Sequence, residues 1–237
     1  MLFRLLERIA SVPDHGPVYR ETTDLSLFIV EPWNAWSSLT FLVPVCIFLY
    51  QLRGRYSSYA FIVWFCCPLL VLGGLGSTFF HAFRASTLLL LMDAIPIIIL
   101  VIGISIWMWL KVLPKKVHIV WVLLIFFGLT FLSTFFLSGQ DRISAGYFVR
   151  GWMLLLPCYL FLRRTHFKNV AGLFTAIVFF TLALLFRFAD EKIELTFMPW
   201  GTHWLWHVST AFGAYFLGEY LIKNAYTIEN GKLRSKK

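Results

Sequence analysis

Apolar positions fall into seven runs, each long enough to cross a bilayer, separated by short polar connections. They predict spans at Trp33–Leu52, Ser58–Phe83, Thr87–Leu110, Val117–Leu137, Ala145–Leu162, Val170–Phe188 and Thr202–Ile222. About 20 helical residues cover the roughly 30 Å hydrocarbon layer, and a helix satisfies its own backbone there without water. Ahead of the first run lies an outer segment, residues 1–30. Its opening stretch, Met1–Val12, mixes Leu2, Leu5, Leu6 and Ile9 with Arg4, Glu7 and Arg8. That pattern predicts a short amphipathic helix on the membrane surface rather than a cleavable signal peptide. A basic tail, residues 224–237, follows the last run. With no repeat and no second domain, the expected architecture is one all-α, seven-transmembrane-helix domain over 1–237.

Composition supports that class. Residues are 59% hydrophobic and only 14% charged, whereas a soluble domain is about a quarter charged. The net charge of +9 does not point to nucleic acid, because the basic residues sit in short connections between apolar runs. Arg53, Arg55, Lys111, Lys115, Lys116, Arg163, Arg164 and Lys168 share one side with the basic tail. The other side has fewer bases, among them Arg20, Arg84, Arg142 and Arg187, and most of the acids. The positive-inside bias therefore predicts a cytoplasmic C-terminus and an N-terminus in the periplasm or an organelle lumen. Cys46, Cys66, Cys67 and Cys158 all fall inside apolar runs and read as small packing residues.

Several polar groups interrupt the apolar runs. His203 and His207 are four apart, on one face of a helix and within reach of a single metal ion. His81 ends the second span, with Ser77 one turn before it, and Asp93 lies in the first turns of the third. The predicted orientation brings all five to one depth near the outer face. Three imidazoles suit zinc with a free position for water. Asp93 could then act as base for that water, and Ser77 could donate to a developing oxyanion. Each residue also has a plainer reading. A lone His at a span end is an interfacial residue, Ser77 could bond its own helix, and Asp93 could be a structural partner of Arg150. The shared depth favours a metal site.

Glu31-Pro32-Trp33-Asn34-Ala35-Trp36-Ser37-Ser38 is the other pointed stretch. Glu31 is either an acid favoured by the helix N-terminus or an oxygen ligand for a hard cation such as calcium. Asn34 and Ser37 could tie helices together by hydrogen bonds. Arg187, Asp190, Glu191 and Glu194 read as a solvated ion-pair face.

Taken together, Gly76-Ser77-Thr78-Phe79-Phe80-His81, Asp93-Ala94-Ile95-Pro96 and His203-Trp204-Leu205-Trp206-His207 resemble the alkaline ceramidases. These are seven-span hydrolases of the superfamily that also includes the adiponectin-type receptors. Glu31-Pro32-Trp33-Asn34-Ala35-Trp36-Ser37 is similar to that family's first-helix motif. The resemblance implies that His81, His203 and His207 hold zinc, that Asp93 activates water and that Ser77 assists. The implied reaction is hydrolysis of ceramide, a membrane lipid, to a sphingoid base and a fatty acid, with no protein partner. The family also carries a calcium site, to which Glu31 and, less directly, Glu21 correspond; the rest of its ligand run is missing, although Asp24 is nearby. The alternatives are a receptor-like member of the same superfamily, a hydrolase of another lipid amide or ester, and a transporter lined by Asp93 and Arg150.

Overall fold

The computed structural model describes residues 13–137, 139–193 and 196–230. The expected surface helix, Glu194 and the end of the basic tail lie outside them. The described residues are helical and contain no strand. Helix α1 spans Pro32–Gln51, with a tighter turn at Leu39–Phe41; α2 spans Ile62–Phe83 and opens on a π-type turn at Ile62–Cys66. Then come α3 (Thr87–Val112), α4 (Ile119–Phe136), α5 (Gly139–Arg164), α6 (Val170–Lys192) and α7 (His203–Asn230).

Helices α1 to α6 are long and apolar enough to cross a membrane. They fit a multi-pass helical membrane protein. Helix α7 has the length, but His203, His207 and Glu219 dilute its apolar run, and it does not join the six. The ends of α5 and α7 reach past the expected edges. Backbone hydrogen bonding continues wherever polar residues tolerate a helix, and Asp141 in the first turn of α5 suits the helix dipole.

The chain divides into two compact units. One comprises Met1–Ile98 and Ala171–Tyr220, the other Ile99–Val170 and Leu221–Lys237. In the second, α4 buries only Phe126 and exposes Trp121, Ile125, Phe131 and Phe135. Trp109 donates its indole N–H to the Met153 carbonyl at 3.1 Å, and Arg150 lies over the Tyr147 ring.

The first unit packs its helices through small residues. A Cβ on Gly76 would lie 2.1 Å from the Met92 carbonyl oxygen, and one on Gly73 would lie 2.5 Å from Ile97. These two glycines, three apart on α2, let α3 approach to backbone contact, as small residues do between membrane helices. One end of this unit is polar inside: Asp14, Glu31, Asn34, Ser38, Ser77, His81, Arg84, His203 and His207 are all buried. Its outer surface, by contrast, exposes Phe28, Phe79 and Leu88. Buried polar groups need partners, so this inside-out distribution marks the place to look for chemistry.

Candidate metal centre

His81 lies in the last turn of α2, and His203 and His207 in the first turns of α7. One ligand atom from each ring lies within 4.8 Å of the other two. The ring centroids are 5.3 Å apart for His81 and His203, 5.0 Å for His81 and His207, and 4.7 Å for His203 and His207. His81 Nε2, His203 Nδ1 and His207 Nε2 are buried without a hydrogen-bond partner. Three orphaned ring nitrogens at such a juncture cost free energy unless something accepts their lone pairs.

The opposite edges of two rings fix the tautomer. His81 Nδ1 faces the Glu31 carboxylate, to which it donates. His207 Nδ1 is 2.9 Å from Ser37 Oγ, whose own hydrogen goes to the Asn34 carbonyl. That hydroxyl therefore accepts from Nδ1–H, and Nε2 keeps its lone pair. Carboxylate and hydroxyl partners of this kind orient metal-binding histidines and raise their basicity. His203 is held by its surroundings: Tyr19 stacks on it at 3.9 Å and Trp206 at 5.3 Å. A three-imidazole donor set beside buried carboxylates fits a divalent metal ion.

Ser77 and Asp93 complete the group. Ser38 Oγ lies 2.9 Å from Ser77 Oγ and 2.8 Å from the Asn34 carbonyl oxygen, and Asp93 interacts with the Ser77 side chain. Asp93 also interacts electrostatically with His81 and Arg187. All five residues singled out in the sequence lie in the first unit.

Helix α7 starts where it does because of Asp190. Its carboxylate accepts from the backbone N–H of Thr202 at 2.7 Å and of His203 at 3.0 Å, satisfying donors that a helix N-terminus leaves open. Gly201 turns with φ +79°, and a Cβ there would lie 2.1 Å from the same carboxylate. Asp190 is thus buried at the head of α7, not part of a solvated face as its neighbours in sequence suggested. The exposed pair Lys192 and Glu191 does belong to such a face.

The carboxylates of Glu21 and Glu31, the residues matched to a calcium site, both face protein donors. The Glu21 oxygens accept the backbone N–H groups of Trp33 at 2.6 Å and Asn34 at 2.9 Å, so its side chain caps α1, where Pro32 has no N–H to give. Burial pushes the Glu21 carboxyl up to about 7 despite these bonds. The Glu31 oxygens accept from His81, Asn34, Thr22 and Arg84. Burial alone would raise Glu31, but His81 and Arg84 outweigh it and hold the group at about 2. Calcium takes six to eight oxygen ligands, and every oxygen of these two carboxylates already faces an N–H or O–H donor.

Sequence reasoning missed the roles of Tyr19 and Asp14 in the segment before α1, of Arg84 at the end of α2 and of Asp190 near the end of α6. Only Arg84 carried a signal, a single base beside His81. Compared with known proteins, the chain matches no family model and no curated protein.

Proposed function

We propose that this protein is a zinc-dependent intramembrane amidase that hydrolyses ceramide, or a closely related lipid amide, to a sphingoid base and a free fatty acid. The observation that carries the reading is the buried triad His81, His203 and His207 with the Ser77–Asp93 pair in the same polar interior. Zinc suits three neutral imidazoles, and when bound it polarises a carbonyl and brings the pKa of a water toward 7.

The chain's own groups supply the rest. The Asp93 carboxylate receives the proton of the attacking water and hands it to the departing amine. Ser77 Oγ–H donates to the carbonyl oxygen as negative charge develops there, and Ser38 supports that hydroxyl from behind. Glu31 and Ser37 keep the donor nitrogens of His81 and His207 aimed inward. Tyr19, buried over His81 and His203, excludes bulk water from one side. The acyl chain lies along the exposed apolar helix faces. The reading includes seven spans, from the apolar runs, with the loop charges supporting a site near the periplasmic or lumenal face and a cytoplasmic C-terminus.

The test is product release. Purified protein in lipid nanodiscs, given a mixed panel of lipid amides and esters, is expected to release fatty acid from ceramide, and His207→Ala is expected to abolish the release. A metal-loaded wild-type protein that turns over none of the panel would overturn the reading.

A further inference from the structure

Arg84 ends α2 in the left-handed conformation, with φ 47°, which a non-glycine residue adopts at a cost. The turn brings its side chain back into the protein, where it is 1% exposed. A guanidinium has five N–H donors, and here the hydrogen bonds account for all five. Nε and Nη2 grip Asp14 as a fork, at 2.6 and 3.1 Å. Nη2 also donates to the Pro17 carbonyl at 2.9 Å. Nη1 donates to Thr22 at 3.2 Å and to Glu31. The plane lies 4.7 Å over the Phe80 ring and 5.7 Å over that of Tyr19.

These partners come from two places. Asp14, Pro17, Tyr19 and Thr22 belong to the segment before α1. Glu31 heads α1 and bonds the metal-facing histidine of α2. The side chain therefore gathers oxygens from three points of a loop and one helix start around a single positive charge. A divalent cation does this in other proteins by collecting carboxylates and carbonyls. Asp14 and Glu31 without a cation between them would be two buried like charges, and removing one partner of such a buried network is severe.

We propose that Arg84 is a built-in cation which takes the structural place of calcium, clasping the segment before α1 and positioning His81 through Glu31. Arg84 touches no reacting atom and is a positioning residue. Its charge is covalently fixed, so the clasp does not respond to calcium concentration. The inference uses the three-histidine centre and is independent of which lipid is hydrolysed.

Two measurements test it on the purified full chain. In the first, equilibrium dialysis of wild-type protein against radioactive calcium at up to about 1 mM, the range of weak extracellular sites, is expected to show no stoichiometric binding. Thermal unfolding with and without calcium is expected to coincide. Calcium bound at one per chain, or a rise in Tm with calcium, overturns the proposal. In the second, zinc affinity is read by competition with a chromogenic chelator. Arg84→Gln is expected to weaken zinc by about 10–100-fold, the usual cost of losing an outer-shell partner. Arg84→Lys, which keeps the charge and loses the fork, is expected to fall between. Wild-type affinity in Arg84→Gln overturns the positioning role. If that variant does not fold, Asp14→Asn decides: weakened zinc supports the clasp, and unchanged zinc contradicts it. Wild-type protein that bound no zinc would refute the proposed hydrolase, and the calcium measurement would still judge Arg84.

Discussion

Ser77 and Asp93 are the residues whose roles separate most cleanly from metal binding. Neither is a histidine; Asp93 interacts with His81 by charge and with Ser77. Ser77→Ala is expected to keep the metal and lower the hydrolysis rate by about 10²-fold, the cost of losing one oxyanion donor. Asp93→Asn is expected to keep the metal and lose more. Rate and metal content measured on the same sample decide this; loss of metal in either variant would make the residue structural. Glu21 offers a separate reading by pH. Its carboxyl is raised by burial from an ordinary 4.5 to about 7. The folded protein therefore holds that proton more tightly than the unfolded chain does. The associated stability is fully present below pH 4.5 and is lost as pH rises through 7. Glu21→Gln mimics the protonated form, so the Tm of wild type relative to this variant is expected to fall between pH 4.5 and pH 7. A constant difference across that window would contradict the assignment. The three histidines that come together were legible because each stands out against apolar neighbours. Arg84 and Asp190 were not, because a charged residue at a helix end looks solvated until its partners are seen folded around it.

At the level of the helix, the approach of α3 to α2 decides whether Asp93 reaches Ser77. Gly76 sits beside Ser77, and its missing side chain makes room for the Met92 carbonyl. Gly76→Ala is expected to destabilise by about 1–3 kcal/mol, as overpacking does, and to depress activity more than metal content, since His81 belongs to α2 and Asp93 to α3. Differential scanning and a rate measurement check it, and an unchanged rate would show that α3 need not lie so close. Helix existence was readable from apolar length for α1 to α6, because lipid asks for little beyond that. Helix α7 was readable from its His-x-x-x-His spacing even though the same histidines weaken its apolar run. Its starting point depends on Asp190, which the sequence does not connect to Thr202 and His203.

For the molecule as a whole, the exposed surface of both units is rich in large apolar side chains, while most of the buried polar residues described lie in the first. That distribution suits lipid outside and chemistry within. Seven crossings put the two termini on opposite sides, and six put them on one side. A fluorescent-protein fusion at the C-terminus is expected to report a cytoplasmic location, with a protease-accessible tag at the N-terminus on the far side; both termini on one side would remove the seven-span proposal while leaving the histidine centre untouched.

The claim beneath all of this is that His81, His203 and His207 hold one metal ion together. Plasma mass spectrometry of purified protein tests it most directly, on wild type and on the His203→Ala/His207→Ala double variant. The expected result is about one zinc per wild-type chain and almost none in the double variant, since one imidazole cannot replace three. Wild-type protein free of transition metal after purification in zinc-containing buffer, or a double variant that kept its full complement, would contradict the account.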